Sequence, residues 1–108
     1  MAQRRDSRER SDAYESVFKA LAHPVRRRIL MTLNFEGGEM TAGDIADMFK
    51  HAWPTTTRHL SVLQNAGLVA QEASGRSRIY VINRKKLNLV REWLEWFAKD
   101  PTGKTQSS

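Results

Sequence analysis

The chain has 108 residues, a length that normally folds as one domain. It carries 18 Lys and Arg against 12 Asp and Glu, a formal charge of +6 that favours an anionic partner. Cysteine is absent, which excludes a disulfide scaffold, thiolate metal ligands and a thiol nucleophile. The first ten residues lack the apolar core of a signal peptide, and no apolar run reaches membrane-spanning length. We therefore expect a cytoplasmic protein that has no membrane partner.

Polar segments form both ends of the chain. We predict a disordered basic arm over residues 1–10, a folded domain over 11–99 and a disordered tail over 100–108. A first helix is predicted after Ser11 or Asp12, either of which can cap it. Its apolar stripe at helical spacing comprises Ala13, Tyr14, Val17, Phe18 and Leu21.

Two further helices precede the middle of the chain. Pro24 is suited to a helix entry, where its missing N–H costs nothing, and Arg26–Arg28 are expected to pair with acids of the first two helices. Gly37 and Gly38 predict a turn. Thr41 begins a short third helix at capping-box spacing. The predicted inner faces are Val25, Ile29, Leu30 and Leu33 in the second helix, and Ile45, Met48 and Phe49 in the third.

The second half of the chain combines helices with a hairpin. A fourth helix is predicted from Pro54 to Ala66, ending at Gly67, where a left-handed residue is wanted. Two β-prone runs flank "SGRS" and predict a hairpin with Gly75 at its turn. Asn83 can cap a last helix that continues to about residue 99.

This order of elements, α-α-α-α-β-β-α, is that of a winged helix-turn-helix, a mainly α fold with a small β-hairpin. The motif needs a fourth helix that packs one face inward and leaves the other open to the major groove. Thr56, Leu60 and Leu63 form the inner row of that helix, while Thr57 and His59 lie on its flanks. The outer face contains no acid and comprises Thr55, Arg58, Ser61, Val62 and Asn65.

Four successive blocks of the sequence resemble the ArsR/SmtB-type bacterial transcriptional repressors. They are "VFKALAHPVRRRIL", "DIADMF", "WPTTTRHLSVLQNAGLV" and "SGRSRIYVI", and the similarity covers roughly residues 14 to 97. The resemblance implies a homodimer that binds a palindromic operator and represses a nearby operon. It does not specify an effector.

Carried over to this sequence, the resemblance implies a set of DNA contacts. Threonine hydroxyls can bond bases or phosphates, and Arg58 can grip a guanine or take a phosphate. His59, on a flank, either contacts DNA or packs inside. Thr41 is a phosphate candidate with capping as the alternative, and the wing arginines are expected at the backbone or minor groove. The expected DNA-binding residues are Thr41, Thr55, Thr57, Arg58, His59, Ser61, Arg76 and Arg78.

Apolar residues cover about half the circumference of the last helix, which is wider than one core requires. We interpret one edge as core and the other as a dimer interface shared with the first helix. The alternative is a last helix that is buried within its own protomer. The expected dimer residues are Tyr14, Phe18, Val90, Trp93, Leu94, Trp96 and Phe97.

Metal sensing in the family's usual manner is not expected. Without cysteine the thiolate site of the third helix is missing, and the last helix has no histidine for the other common site. The scattered His23, His51 and His59 favour structural or solvated roles over zinc. We expect no metal, no cofactor and no enzymatic activity. The alternative to a DNA-binding regulator is a winged-helix protein-interaction module without specific DNA binding.

Overall fold

A computed structural model describes residues 2–49 and 53–98, with side chains from residue 11 onward. None of the described helices is long and apolar enough to cross a membrane. The predicted tail over 100–108 and His51 lie outside the described residues. The elements are α1 (Ala2–Leu21), α2 (Pro24–Phe35), β1 (Glu39–Thr41), α3 (Ala42–Met48), α4 (Trp53–Asn65), β2 (Val69–Ser74), β3 (Ser77–Ile82) and α5 (Arg84–Ala98). The predicted order is confirmed, with one strand added.

Helix α1 is longer than predicted. It begins at Ala2, so the backbone over residues 2–10 is helical and the expected disordered arm is wrong there. This segment contains neither Pro nor Gly, and its Gln, Arg and Glu residues have good helix propensity. The predicted cap at Ser11 or Asp12 therefore lies inside the helix.

The core lies where α1, α2, α3 and α4 meet the sheet. Val17 and Ala20 of α1 are completely buried, and Ile29, Leu30 and Leu33 form the inner face of α2 as predicted. Their burial follows the 3.6-residue period of both helices.

Helix α3 buries Ile45 and Phe49 as predicted, but Met48 is about half exposed, so its predicted burial is wrong. The helix ends at Met48, and Phe49 adopts extended backbone angles (φ −110°, ψ 118°). That extended residue turns its ring into the core, while Met48 keeps its helical direction and points outward.

Strand β1 was not predicted, and it makes the hairpin part of a three-stranded antiparallel sheet of order β1-β3-β2. Met40 lies opposite Tyr80, and both are buried. Gly38, with φ +98°, accepts a 2.8 Å hydrogen bond from Ile82 N–H, which joins the turn after α2 to the sheet. Three residues with one buried side chain give no periodicity that sequence could show.

The hairpin of β2 and β3 forms the wing. Ser74 pairs with Ser77, so Gly75 and Arg76 form a two-residue turn. Gly75 has φ +61° and Arg76 has no positive φ, the pattern of a type II′ turn. Strand β1 pairs only with residues 79–81 of β3. The tip of the wing therefore extends beyond the third strand as a two-stranded ribbon.

Helix α4 ends in a Schellman motif, which confirms the predicted stop at Gly67. Leu68 N–H donates to Leu63 C=O (2.9 Å) and Gly67 N–H donates to Gln64 C=O (2.9 Å), with Gly67 at φ +77°. Asn83 caps α5 as predicted, because its Oδ1 accepts a 3.3 Å bond from Lys86 N–H.

Candidate DNA interface

The orientation of α4 is fixed by its inner row. Thr56, Leu60 and Leu63 are each at most 1% exposed, as the sequence predicts. Two aliphatic side chains at i and i+3 hold the helix on the core through packing alone. The buried hydroxyl of Thr56 has no hydrogen-bond partner among the residues that the structure describes.

The outer face of α4 is open to solvent. Thr55, Arg58 and Ser61 are exposed, and no Asp or Glu occurs anywhere between Trp53 and Asn65. Arg58 lies in the second turn of α4, and the positive end of the helix dipole, at Trp53, attracts an anion. The half-buried Thr57 donates its hydroxyl to Trp53 C=O at 2.9 Å, which leaves its oxygen lone pairs to accept a further bond.

The wing presents two exposed arginines. Arg76 lies in the turn, and Arg78 lies on the ribbon opposite Ala73. Glu72, the acid in the wing, lies opposite Ile79 in the strand register and not opposite either arginine. The tip of the two-stranded ribbon therefore presents two cationic side chains to solvent.

A contiguous aromatic face covers one side of α1 and α5. The Tyr14 and Phe18 rings stack with centroids 6.4 Å apart, Phe18 meets Trp93 edge-on at 5.0 Å, and Trp93 meets Phe97 at 4.8 Å. None of the fifteen α5 residues is buried, so the alternative of a last helix buried in its own protomer is wrong. We call this surface the aromatic face; it consists of Tyr14, Phe18, Trp93, Leu94, Trp96 and Phe97. Val90, also predicted for the dimer interface, is half-buried against the core of its own protomer.

Similarity to known proteins agrees with this arrangement. Residues 23–71 match the family described as bacterial regulatory protein, arsR family. The transcriptional repressor SdpR of Bacillus subtilis (strain 168) is 38% identical over 79 residues, which are 73% of this chain and 86% of SdpR. The chain belongs to the ArsR family.

Solved structures show the same fold as this ArsR-family protein. A crystallised ArsR family transcriptional regulator superposes with a TM-score of 0.77 at 27% identity, covering 88% of this chain and 96% of its own. A domain from Mycobacterium bovis, described as a homodimeric winged helix-turn-helix DNA-binding domain, has a TM-score of 0.65. At 24% identity over 90% of this chain and 89% of its own, it shows the fold alone.

His59 does not belong to the exposed surface of this ArsR-family protein. It is 8% exposed, and its ring centroid lies 4.4 Å from that of His23. The helical period places His59 on the flank that faces the junction of α1 and α2, where these rings pack together. Of the two alternatives left by the sequence, packing is the one that the structure shows.

Thr41 takes the capping role. Its Oγ1 accepts a 3.1 Å bond from Asp44 N–H, and its side chain is half-buried. A groove beside it is lined by four acids and two methionines, which makes this neighbourhood unfavourable for a phosphate. The lining residues are Glu36, Glu39, Met40, Asp44, Asp47 and Met48.

Arg26 and Arg27 of α2 bind backbone carbonyls, where the sequence predicts acidic partners. Arg27 Nη1 donates to Leu21 C=O at 2.7 Å, and Arg26 donates to the C=O groups of Ala20 and Lys19. The last carbonyls of a helix lack intrahelical partners and carry the negative end of the dipole, so they attract guanidinium groups. A sequence does not show which backbone carbonyls will accept these bonds, because every residue carries one.

The residues that the structure describes do not form a metal-binding site. No three His, Asp or Glu side chains within 11–49 and 53–98 come together as a group that could hold an ion.

Proposed function

We propose that this protein is a sequence-specific transcriptional repressor that binds a palindromic operator as a homodimer. The observation that carries the proposal is the open, acid-free face of α4, fixed from behind by a buried row and flanked by a cationic wing. SdpR, 38% identical, bears the name of a transcriptional repressor.

The composition of α4 supports DNA as the occupant of its outer face. Threonine is roughly 0.6 kcal/mol worse than alanine at a helical position. Thr55 and Thr57 together therefore sacrifice about 1 kcal/mol of helix preference. An incoming phosphate supplies the missing negative charge at this helix end.

The contacts divide by position. Thr55, Arg58 and Ser61 are exposed on the face that would enter the major groove, where Arg58 is suited to a guanine or a phosphate. Arg76 and Arg78 would hold the backbone or minor groove and so fix the orientation of the domain. Thr41 could still donate its hydroxyl hydrogen to a phosphate, because its cap uses the oxygen only as an acceptor. Thr57 already donates its hydrogen to Trp53 C=O, so its oxygen could only accept from a donor such as a base amino group.

Dimerisation through the aromatic face would cover a surface that is unusually apolar for a monomer. Trp96 is 75% exposed and Leu94 is 54% exposed. Exposed apolar patches of this kind typically mark protein interfaces. A two-fold axis through α1 and α5 would present two copies of α4 to half-sites about one helical turn apart.

The regulatory signal in this proposal is not a metal bound in the family's usual way. The chain has no cysteine, and α5 contains no histidine. Repression would then depend on another effector or on the protein's own concentration, with no cofactor.

DNA binding across a salt series tests the proposal. The wild-type protein should protect a palindrome upstream of its gene, and its affinity should fall steeply with salt as counterions are released. Arg58→Ala should cost roughly 1–3 kcal/mol on that operator and leave folding intact. Arg28 is also exposed but lies on α2, so Arg28→Ala is the control and should bind within about twofold of wild type.

Equal, weak binding to every sequence would overturn specific repression. That result would favour the protein-interaction alternative, in which the outer face of α4 serves another protein.

A further inference from the structure

Arg26 lies at the junction of three helices and bonds to two of them with all three guanidinium nitrogens. Its Nε donates to Ala20 C=O at 2.7 Å and its Nη2 donates to Lys19 C=O at 3.0 Å, both in the last turn of α1. Its Nη1 lies 3.3 Å from Nδ1 of His59 in α4. One side chain of α2 therefore ties the end of α1 to the helix proposed to enter DNA.

The contact with His59 can run in one direction only. Arginine has no acceptor, so Arg26 donates and Nδ1 of His59 accepts. His23 packs against this ring, and its own Nδ1 accepts from Val25 N–H at 3.2 Å at the start of α2. The two rings and the guanidinium form one cluster across α1, α2 and α4, which we call the Arg26 cluster.

We propose that Arg26 is a positioning residue for operator binding, which sets the angle between the dimer helix α1 and the recognition helix α4. This inference rests on the proposed function. In the proposed dimer, Tyr14 and Phe18 hold α1 at the two-fold axis, so the angle between α1 and α4 sets the separation of the two recognition helices.

The geometry of the Arg26 cluster is better suited to fixing the angle between α1 and α4 than to merely holding the two helices together. A guanidinium is a planar fork with donors in fixed directions, so three bonds to two helices specify orientation as well as proximity. Adhesion between these helices is already provided by the fully buried Val17 and Ala20 of α1 and by Leu60 and Leu63 of α4. Loss of the fork would therefore leave the helices packed and widen the range of their angle.

Operator spacing provides a readout of that angle. The wild type should prefer the natural palindrome over the same half-sites separated by one additional base pair. The spacing ratio is the Kd for the lengthened operator divided by the Kd for the natural one. Arg26→Met should reduce this ratio by about tenfold, because it removes a residue that couples two helices. Arg26→Lys should behave like Arg26→Met, because a single ammonium cannot make the three-way contact.

The ratio of the Kd values for the two operators distinguishes a loss of helix positioning from a loss of folded protein. A fraction of unfolded protein raises both apparent Kd values by the same factor, so a variant that only loses stability keeps the wild-type ratio.

A matched pair at position 59 tests the acceptor itself. Asparagine and leucine have nearly the same size, and both remove the contact with the His23 ring. His59→Asn offers an oxygen near the place of Nδ1, whereas His59→Leu offers none. His59→Asn should therefore retain more of the spacing preference than His59→Leu, and this comparison remains valid if the Arg26 variants fail to fold.

The outcomes distinguish this inference from the proposed function. If the wild type binds without sequence or spacing preference, the repressor proposal and the inference both fail. If the wild type discriminates between spacings and the Arg26 and His59 variants discriminate equally well, only the positioning role is overturned.

Discussion

Replacing Phe97 with alanine should weaken self-association of the protein. Phe97 is 69% exposed at the outer end of the aromatic face and touches Trp93 of its own helix. An aromatic side chain typically presents about 200 Å², so about 140 Å² of Phe97 is left for a partner. At about 25 cal/mol per Å², complete coverage contributes about 3.5 kcal/mol per copy and about 7 kcal/mol per two-fold dimer.

Coverage of half that area is a more realistic expectation for a rim residue. The loss is then about 3.5 kcal/mol per dimer, which raises the dimer Kd by about 300-fold. Sedimentation velocity over a concentration series measures this constant directly. Loss of the edge contact with Trp93 should lower monomer stability by only about 0.5–1.5 kcal/mol, which thermal unfolding at low concentration would detect.

Phe35 is the matched control. It is 76% exposed, slightly more than Phe97, but it lies at the end of α2, away from the aromatic face. Phe35→Ala should leave the dimer Kd within about twofold of wild type. An unchanged dimer Kd for Phe97→Ala, or an equal weakening by Phe35→Ala, would refute the assignment of the interface to α1 and α5.

Three predictions concern the support of the site. Gly67→Ala should destabilise the fold by roughly 1–2 kcal/mol in thermal denaturation, because Gly67 has φ +77° and an added Cβ would lie 3.3 Å from Lys86 Cε. The control Gly43→Ala, in α3, should stabilise the fold by up to about 1 kcal/mol. Equal shifts for the two variants would contradict the argument from the backbone angle of Gly67. Thr56→Val should stabilise by about 1 kcal/mol in urea unfolding by removing a buried, unpaired hydroxyl, and a loss of stability would mean that the hydroxyl is bonded. Asn83→Ala should cost about 2 kcal/mol in the same assay, because its side chain donates to Gly67 C=O at 3.0 Å as well as capping α5, and a loss well below 1 kcal/mol would show that these bonds are dispensable.

Local patterns explain what could be predicted from the sequence. The inner row of α4 follows a helical period within one element, and Gly67 and Gly75 mark backbone angles that other residues rarely adopt. Each of these predictions depends on residues close together in the chain. The DNA contacts assigned to Thr55, Arg58, Ser61 and the wing arginines stay predictions.

Contacts between distant segments explain what was missed. Strand β1 exists because Met40 meets Tyr80, forty positions later, and three residues are too few to show a strand period. His59 is buried because Arg26 and His23 approach it from another part of the chain. The partners of Arg26 are backbone carbonyls, which every residue carries, so no sequence pattern distinguishes them.

Strand β1 covers only part of the hairpin, so the two parts of the hairpin are under different constraints on their sequence. Residues 79–82 of β3 carry the buried Tyr80 and Ile82, so changes there disturb the core. Beyond Ile79 the ribbon is exposed on both strands and has no third strand beside it. The tip can therefore gain, lose or exchange residues at little cost in stability, and the reach and charge of the wing can evolve while the core and the recognition helix stay unchanged.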